Sequence, residues 1–124
     1  MRPLDLQVNG YAGVDFNADA LTAEELHRSC ELLAEDGVGE ILATVITDSP
    51  EAMCDRLANL VDLREADDLC KQMIAGFHIE GPFLSSKPGF IGAHPKQHAC
   101  EATPDAMKRL LDAAGGLTKL VTLA

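Results

Sequence analysis

Apolar and polar residues alternate from Leu4 to Asn9 ("LDLQVN"), which predicts a strand with Leu4, Leu6 and Val8 on one face and Asp5, Gln7 and Asn9 on the other. "GYAGVDFNAD" follows as a loop, rich in glycine and polar turn residues. The period then changes. In "TAEELHRSCELLAEDG", Leu26, Cys30 and Leu33 recur at helical spacing, Thr22 and Glu25 match a capping box, and Gly37 marks the stop. "EILATVIT" (40–47) is a β-branched run that suits a strand buried on both faces. Ser49-Pro50 opens a second helix with its stripe at Met53, Leu57, Leu60 and Val61. The charged "DLREADDLCKQ" reads as a solvated helix end or connection.

"MIAGFHIEG" (73–81) is the third strand, Thr103-Pro104 starts a third helix with Met107, Leu110 and Leu111 inward, and "KLVTLA" (119–124) is a fourth strand. The pattern predicts an α/β fold, a parallel βαβαβαβ unit with strands at about 4–9, 40–47, 73–81 and 119–124. Two architectures fit it: a short open α/β sheet, or half of a (β/α)8 TIM barrel. No G-x-G-x-x-G follows the first strand, which disfavours a dinucleotide fold.

A length of 124 residues suits one domain, and 47% hydrophobic residues can fill a core. The formal charge of −10 repels nucleic acid and anionic membranes and is otherwise accounted for by solubility. Cys30, Cys54, Cys70 and Cys100 form no C-x-x-C, so the spacing offers neither a zinc knuckle nor a redox pair; they read as reduced thiols. Without a membrane span or a hydrophobic signal region, a cytoplasmic location is expected.

The chemistry concentrates in "GFHIEGPFLSSKPGFIGAHP". His78 and Glu80 share a strand face, and Glu80 sits at the C-terminal end of the strand, where both architectures place function. A carboxylate there needs a bound cation or a lysine or arginine partner, and spacing leaves both open. Gln7 and Asn9 end the polar face of the first strand, where amides orient water or substrate, or where Asn9-Gly10 is simply a turn. The loop after Glu80 is longer than the ~2–6 residues of a plain connector, and it carries His94 between Ala93 and Pro95. His94 is read either as a ligand contact or as a loop histidine facing water. His27 reads as a surface residue, and His98 has no partner that the sequence names. There is no G-x-S-x-G, Walker-type or H-E-x-x-H motif.

"DLQVNGYAGVDFN", "ATVITDSPE", the H-I-E-G-P-F string with its downstream "GAHP", and "KLVTLA" together resemble the N-acetylglucosamine-6-phosphate deacetylase family of the amidohydrolase superfamily. The resemblance covers essentially the whole chain. It implies a metal-dependent (β/α)8 hydrolase of amino-sugar metabolism that takes N-acetylglucosamine 6-phosphate to glucosamine 6-phosphate and acetate. Gln7 and Asn9 stand where the superfamily carries its metal-binding H-x-H, which implies a single divalent ion, zinc or iron. By the same resemblance Glu80 is a metal ligand, Ala93 and His94 contact the sugar, and His78 lies beside the metal. The family's two further metal histidines, its general acid/base Asp and its small β-domain are expected beyond Ala124. Residues 1–124 are accordingly expected to form a partial barrel domain, inactive by itself, with exposed sheet edges. A homodimer is implied for the full-length protein. The alternatives are another barrel amidohydrolase, or a non-catalytic α/β binding or scaffold module.

Overall fold

The computed structural model, covering residues 1–124, runs through β1 (Leu4–Val8), β2 (Gly10–Tyr11), β3 (Val14–Asp15), α1 (Ala23–Glu35), β4 (Glu40–Val45), α2 (Pro50–Glu65), α3 (Asp68–Met73), β5 (Ile74–Glu80), α4 (Pro104–Ala113) and β6 (Thr118–Thr122). The main sheet is four-stranded, in the order β1-β4-β5-β6, and each neighbouring pair is parallel. Each crossover therefore steps one strand in the same direction, and right-handed steps of that kind put their helices on one face. Doubly wound sheets reverse direction part-way along the order. No reversal occurs here, so the fold is α/β of the kind made by consecutive strands of a (β/α)8 barrel.

The expected helix punctuation forms. Thr22 Oγ1 accepts from the Glu25 amide at 3.2 Å while Glu25 Oε1 accepts from the Thr22 amide at 3.1 Å, closing the capping box. Ser49 and Thr103 cap α2 and α4 through their hydroxyls alone, which accept from the Ala52 and Ala106 amides, each ahead of a proline in the first turn. Between sheet and helices lies a continuous apolar core that includes Phe16, Leu26, Ile41, Val45, Leu57 and Phe77.

Three local features differ from the pattern's prediction. The segment after β1 is an antiparallel hairpin, β2–β3, rather than an open loop. Gly10 permits it, since a Cβ there would stand 2.2 Å from the Val14 carbonyl oxygen. The charged stretch before β5 contains α3, because Asp67 caps the Leu69 and Cys70 amides and because Cys70 and Met73 bury their side chains. On β1, only Val8 of the predicted apolar face is buried. The pairing with β4 shifts register between Asp5 and Val8, and Leu4 and Leu6 remain about half exposed at this edge of the sheet. No helix is long and apolar enough to cross a membrane.

Candidate active site

Strand alternation decides what β5 presents. Phe77 and Ile79 are fully buried in the helix-side core, which turns His78 and Glu80 to the opposite face. Glu80 is the last strand residue, and Gly81 ends the strand with φ +78 ahead of a cis Gly81–Pro82 bond. A Cβ on Gly81 would fall 1.9 Å from Thr47 Oγ1, and that hydroxyl donates to the Glu80 carbonyl at 3.0 Å. The Gly81 amide donates to Thr122 O at 3.0 Å. The backbone carrying Glu80 is thus held from both neighbouring strands.

The carboxylate is held as closely. Gln7 Nε2, 73 residues away in sequence, donates to Glu80 Oε2 at 2.8 Å. His94 Nε2 lies 3.4 Å from Oε1, with the Glu80 side chain 18% exposed and that of His94 22%. No lysine or arginine pairs with Glu80, so the structural ion pair left open by spacing does not form; the imidazole is its one charge-complementary neighbour. A cavity of about 190 Å³ opens between these groups, lined by Gln7, Asn9, Thr47, Glu80, Ala93 and His94 among others. The long loop has folded back so that its histidine faces this cavity rather than open water.

His78 lies one pleat below and is buried, at 2% exposure. Its Nδ1 donates to the Leu6 carbonyl at 3.0 Å, and its Nε2 meets Thr122 Oγ1 at 2.8 Å. Both ring nitrogens are engaged within the protein, so the side chain braces the floor of the site and offers no lone pair to the cavity.

Other residues frame the mouth without having been singled out from sequence. Asn17, buried at 7%, donates from Nδ2 to Thr44 O at 3.0 Å and accepts the Ile46 amide at 2.9 Å, fastening the hairpin segment to the end of β4. One asparagine in "DFNAD" carries no spacing signal, so only the fold discloses this. Asp48 receives Arg56 Nη1 at 2.8 Å and stands 3.4 Å from His98 Nε2. His98 therefore has a partner, supplied by the loop after β4. The Ser49 amide, and after it the Arg56 guanidinium, hold the Asp48 carboxyl below the usual carboxylate range.

Whether these groups suit a divalent cation can be asked of the donor set. A carboxylate with one oxygen fixed by an amide and the other turned to an imidazole, with no competing ammonium or guanidinium, fits one side of such a site. Its 3.4 Å gap to the imidazole is wider than a charge-assisted hydrogen bond of ~2.7–2.9 Å. The donors fit in kind but not in number, since a catalytic zinc takes about three protein ligands.

No family model matches the chain. The N-acetylglucosamine-6-phosphate deacetylase of Bacillus subtilis is 32% identical over 123 residues, covering 98% of this chain and 30% of its own length. The human enzyme of the same name is 31% identical over 127 residues, with 98% and 29% covered. Among solved structures, a variant of the Mycobacterium smegmatis deacetylase in complex with N-acetyl-D-glucosamine-6-phosphate superposes with a TM-score of 0.83 at 30% identity, over 99% of this chain and 30% of that one. The Pasteurella multocida deacetylase gives 0.77 at 29% identity, over 98% and 30%. The chain is homologous to one stretch of the N-acetylglucosamine-6-phosphate deacetylases. It spans about 30% of the length of the curated deacetylases it matches. The likeness to deacetylase structures extends over the whole sheet and its helices, and so includes the strand ends that carry Gln7, Asn9 and Glu80.

Proposed function

We propose that this chain forms one wall of the active site of a metal-dependent N-acetylglucosamine-6-phosphate deacetylase, which hydrolyses the acetamide to glucosamine 6-phosphate and acetate. The observation that carries the reading is Glu80, a carboxylate at the C-terminal edge of a parallel sheet, flanked by Gln7 and His94 with no lysine or arginine to neutralise it. In this reading Glu80 is a ligand of a single divalent ion, zinc or iron, which when bound lowers the pKa of water toward neutrality and polarises an amide carbonyl. Gln7 fixes the rotamer of Glu80 through Oε2 and leaves Oε1 facing the cavity. Asn9, the Ala93 backbone and His94 offer donors and acceptors to the hydroxyls and acetamide of the sugar, and His78 keeps the floor rigid from below. The remaining ligands, the general acid/base Asp, the further barrel strands and the small β-domain lie outside residues 1–124. The same reading includes a cytoplasmic place in amino-sugar metabolism and a homodimeric whole protein.

Acetate release from N-acetylglucosamine 6-phosphate provides the test. The chain alone is expected to give none above background. Grafted in place of the matching segment of the Bacillus subtilis relative, it is expected to support turnover. Glu80→Gln in that graft should cost about 100-fold or more, since even the partners of metal ligands are worth ~10–100-fold. Equal rates with Glu and Gln would remove Glu80 from the site, and a robust rate from the chain alone would overturn the partial-site reading.

A further inference from the structure

At the other end of β5 a second set of side chains meets, drawn from two helices. His27 and Cys30 are three residues apart on α1, and Asp67 and Cys70 are three apart at the N-cap and within α3. Residues three apart on a helix share a face, so each helix offers a pair to the other. His27 Nδ1 lies 2.7 Å from Asp67 Oδ2, and one donor atom each of His27, Asp67 and Cys70 falls within 4.8 Å of the others. Cys30, three residues on from His27, is buried in the same apolar core as Cys70, where α3 packs against α1. Access is graded: the His27 and Asp67 side chains are 42% and 21% exposed, while Cys30 and Cys70 are at 0% and 1%.

We propose that His27, Asp67 and Cys70 form a site for a thiophilic divalent cation, zinc above all, between α1 and α3, with buried Cys30 turning in as the fourth ligand once the ion is bound. Two sulfurs, an imidazole and a carboxylate make a soft-to-borderline set that zinc accepts in tetrahedral geometry. Ligands at ~2.0–2.3 Å from a tetrahedral zinc stand ~3.3–3.8 Å apart, so the sulfur and oxygen draw in by about 1 Å and the His27–Asp67 pair opens. Asp67 is prepared for this. Its Oδ1 accepts the Leu69 and Cys70 amides at 2.9 and 3.1 Å, which leaves Oδ2 for the ion. Glu31 Oε1, 3.4 Å from His27 Nε2, is placed to accept that ring proton once Nδ1 ligates, an arrangement that orients imidazole ligands widely.

Two thiol protons leave to solvent as the ion binds. The site is far from the mouth, since the six steps of β5 from Ile74 to Glu80 span about 20 Å. Its occupancy ties α1 to α3 and carries no chemistry.

Cobalt(II) titration of the reduced chain tests this. Thiolate-to-cobalt charge-transfer bands and the intense visible bands of tetrahedral cobalt are expected to grow to one equivalent and to vanish on zinc addition. They should persist in Glu80→Gln and disappear in Cys70→Ser. Reduced protein without such bands, or the same bands in both Cys30→Ser and Cys70→Ser, would overturn the site. In case the cysteine variants fail to fold, His27→Ala, at a half-exposed position, is expected to bind at least about 10-fold more weakly; unchanged affinity overturns the proposal as well. Zinc should also slow alkylation of Cys30 and Cys70 while exposed Cys100 reacts at its usual rate. Equal slowing of all three, or of none, counts against it.

Discussion

The two ends of β5 solve the same problem, how to keep a cluster of polar side chains against an apolar core, by different means. At the mouth the groups come from far apart in sequence, with Gln7 reaching Glu80 across 73 residues, and the backbone holds them through Thr47, Gly81 and Asn17. At the base the groups come in two helical pairs, and the helix period itself sets their spacing. The mouth therefore depends on loop geometry and tolerates little change in backbone. The base depends on the docking of α3 against α1 and is insensitive to the loops. Long-range assembly brings chemically unlike groups together at a cavity, whereas helical pairing places donors on a packed face.

The sharpest way to separate the two ends is Gly81→Ala. A left-handed φ costs alanine ~1–2 kcal/mol, and displacing Thr47 to relieve its 1.9 Å approach sacrifices the bond to the Glu80 carbonyl, ~1 kcal/mol more. A loss of about 2–3 kcal/mol in urea unfolding is expected, with the alkylation rates of Cys30 and Cys70 in the folded protein unchanged. Altered thiol rates would show the ends to be coupled.

Asn17→Ala comes next. It deprives the Thr44 carbonyl and the Ile46 amide of their partner, and about 2 kcal/mol of unfolding free energy should be lost, read in a lower urea midpoint. A change within ±0.5 kcal/mol, the range of an ordinary surface substitution, would mean that the hairpin segment is not fastened as described.

The smallest effect is expected from Asp48→Asn, and it carries a pH signature. The folded-state carboxyl of Asp48 is depressed, so its contribution is fully present above the unfolded value and fades as pH falls through the folded one. The variant should be less stable than the parent near neutrality, and the difference should close in acid. Paired urea curves at neutral and acidic pH check the sign. A gap that widens in acid would contradict the arrangement with Ser49 and Arg56.

Much of the mouth could be read from the chain because its determinants are local. The period of two through "FHIEG" puts Glu80 on the face opposite Phe77 and Ile79, and Gly81-Pro82 marks where the strand must stop. Thr22, Ser49 and Thr103 announce three helix starts through cap chemistry that acts within four residues. What escaped was set by contacts between distant segments. The β2–β3 hairpin exists because Gly10 lets Val14 approach, and α3 exists because Asp67 caps a turn whose Cys70 and Met73 find the core. Counting cysteines along the chain finds no C-x-x-C, and it cannot see that His27 of α1 converges with Asp67 and Cys70 at α3. The sequence names no partner for His98 for the same reason, since Asp48 lies 50 residues earlier.

The bonds of His78 have a geometric consequence. In a flat sheet β1 and β5 would lie two spacings of ~4.8 Å apart with β4 between them, yet one short imidazole on β5 touches the Leu6 carbonyl of β1 at 3.0 Å while its other nitrogen meets Thr122 on β6 at 2.8 Å. That reach closes only if the sheet bows toward the ring. The one imidazole thereby fastens β1 to β6, the two margins of the sheet, which no backbone ladder joins.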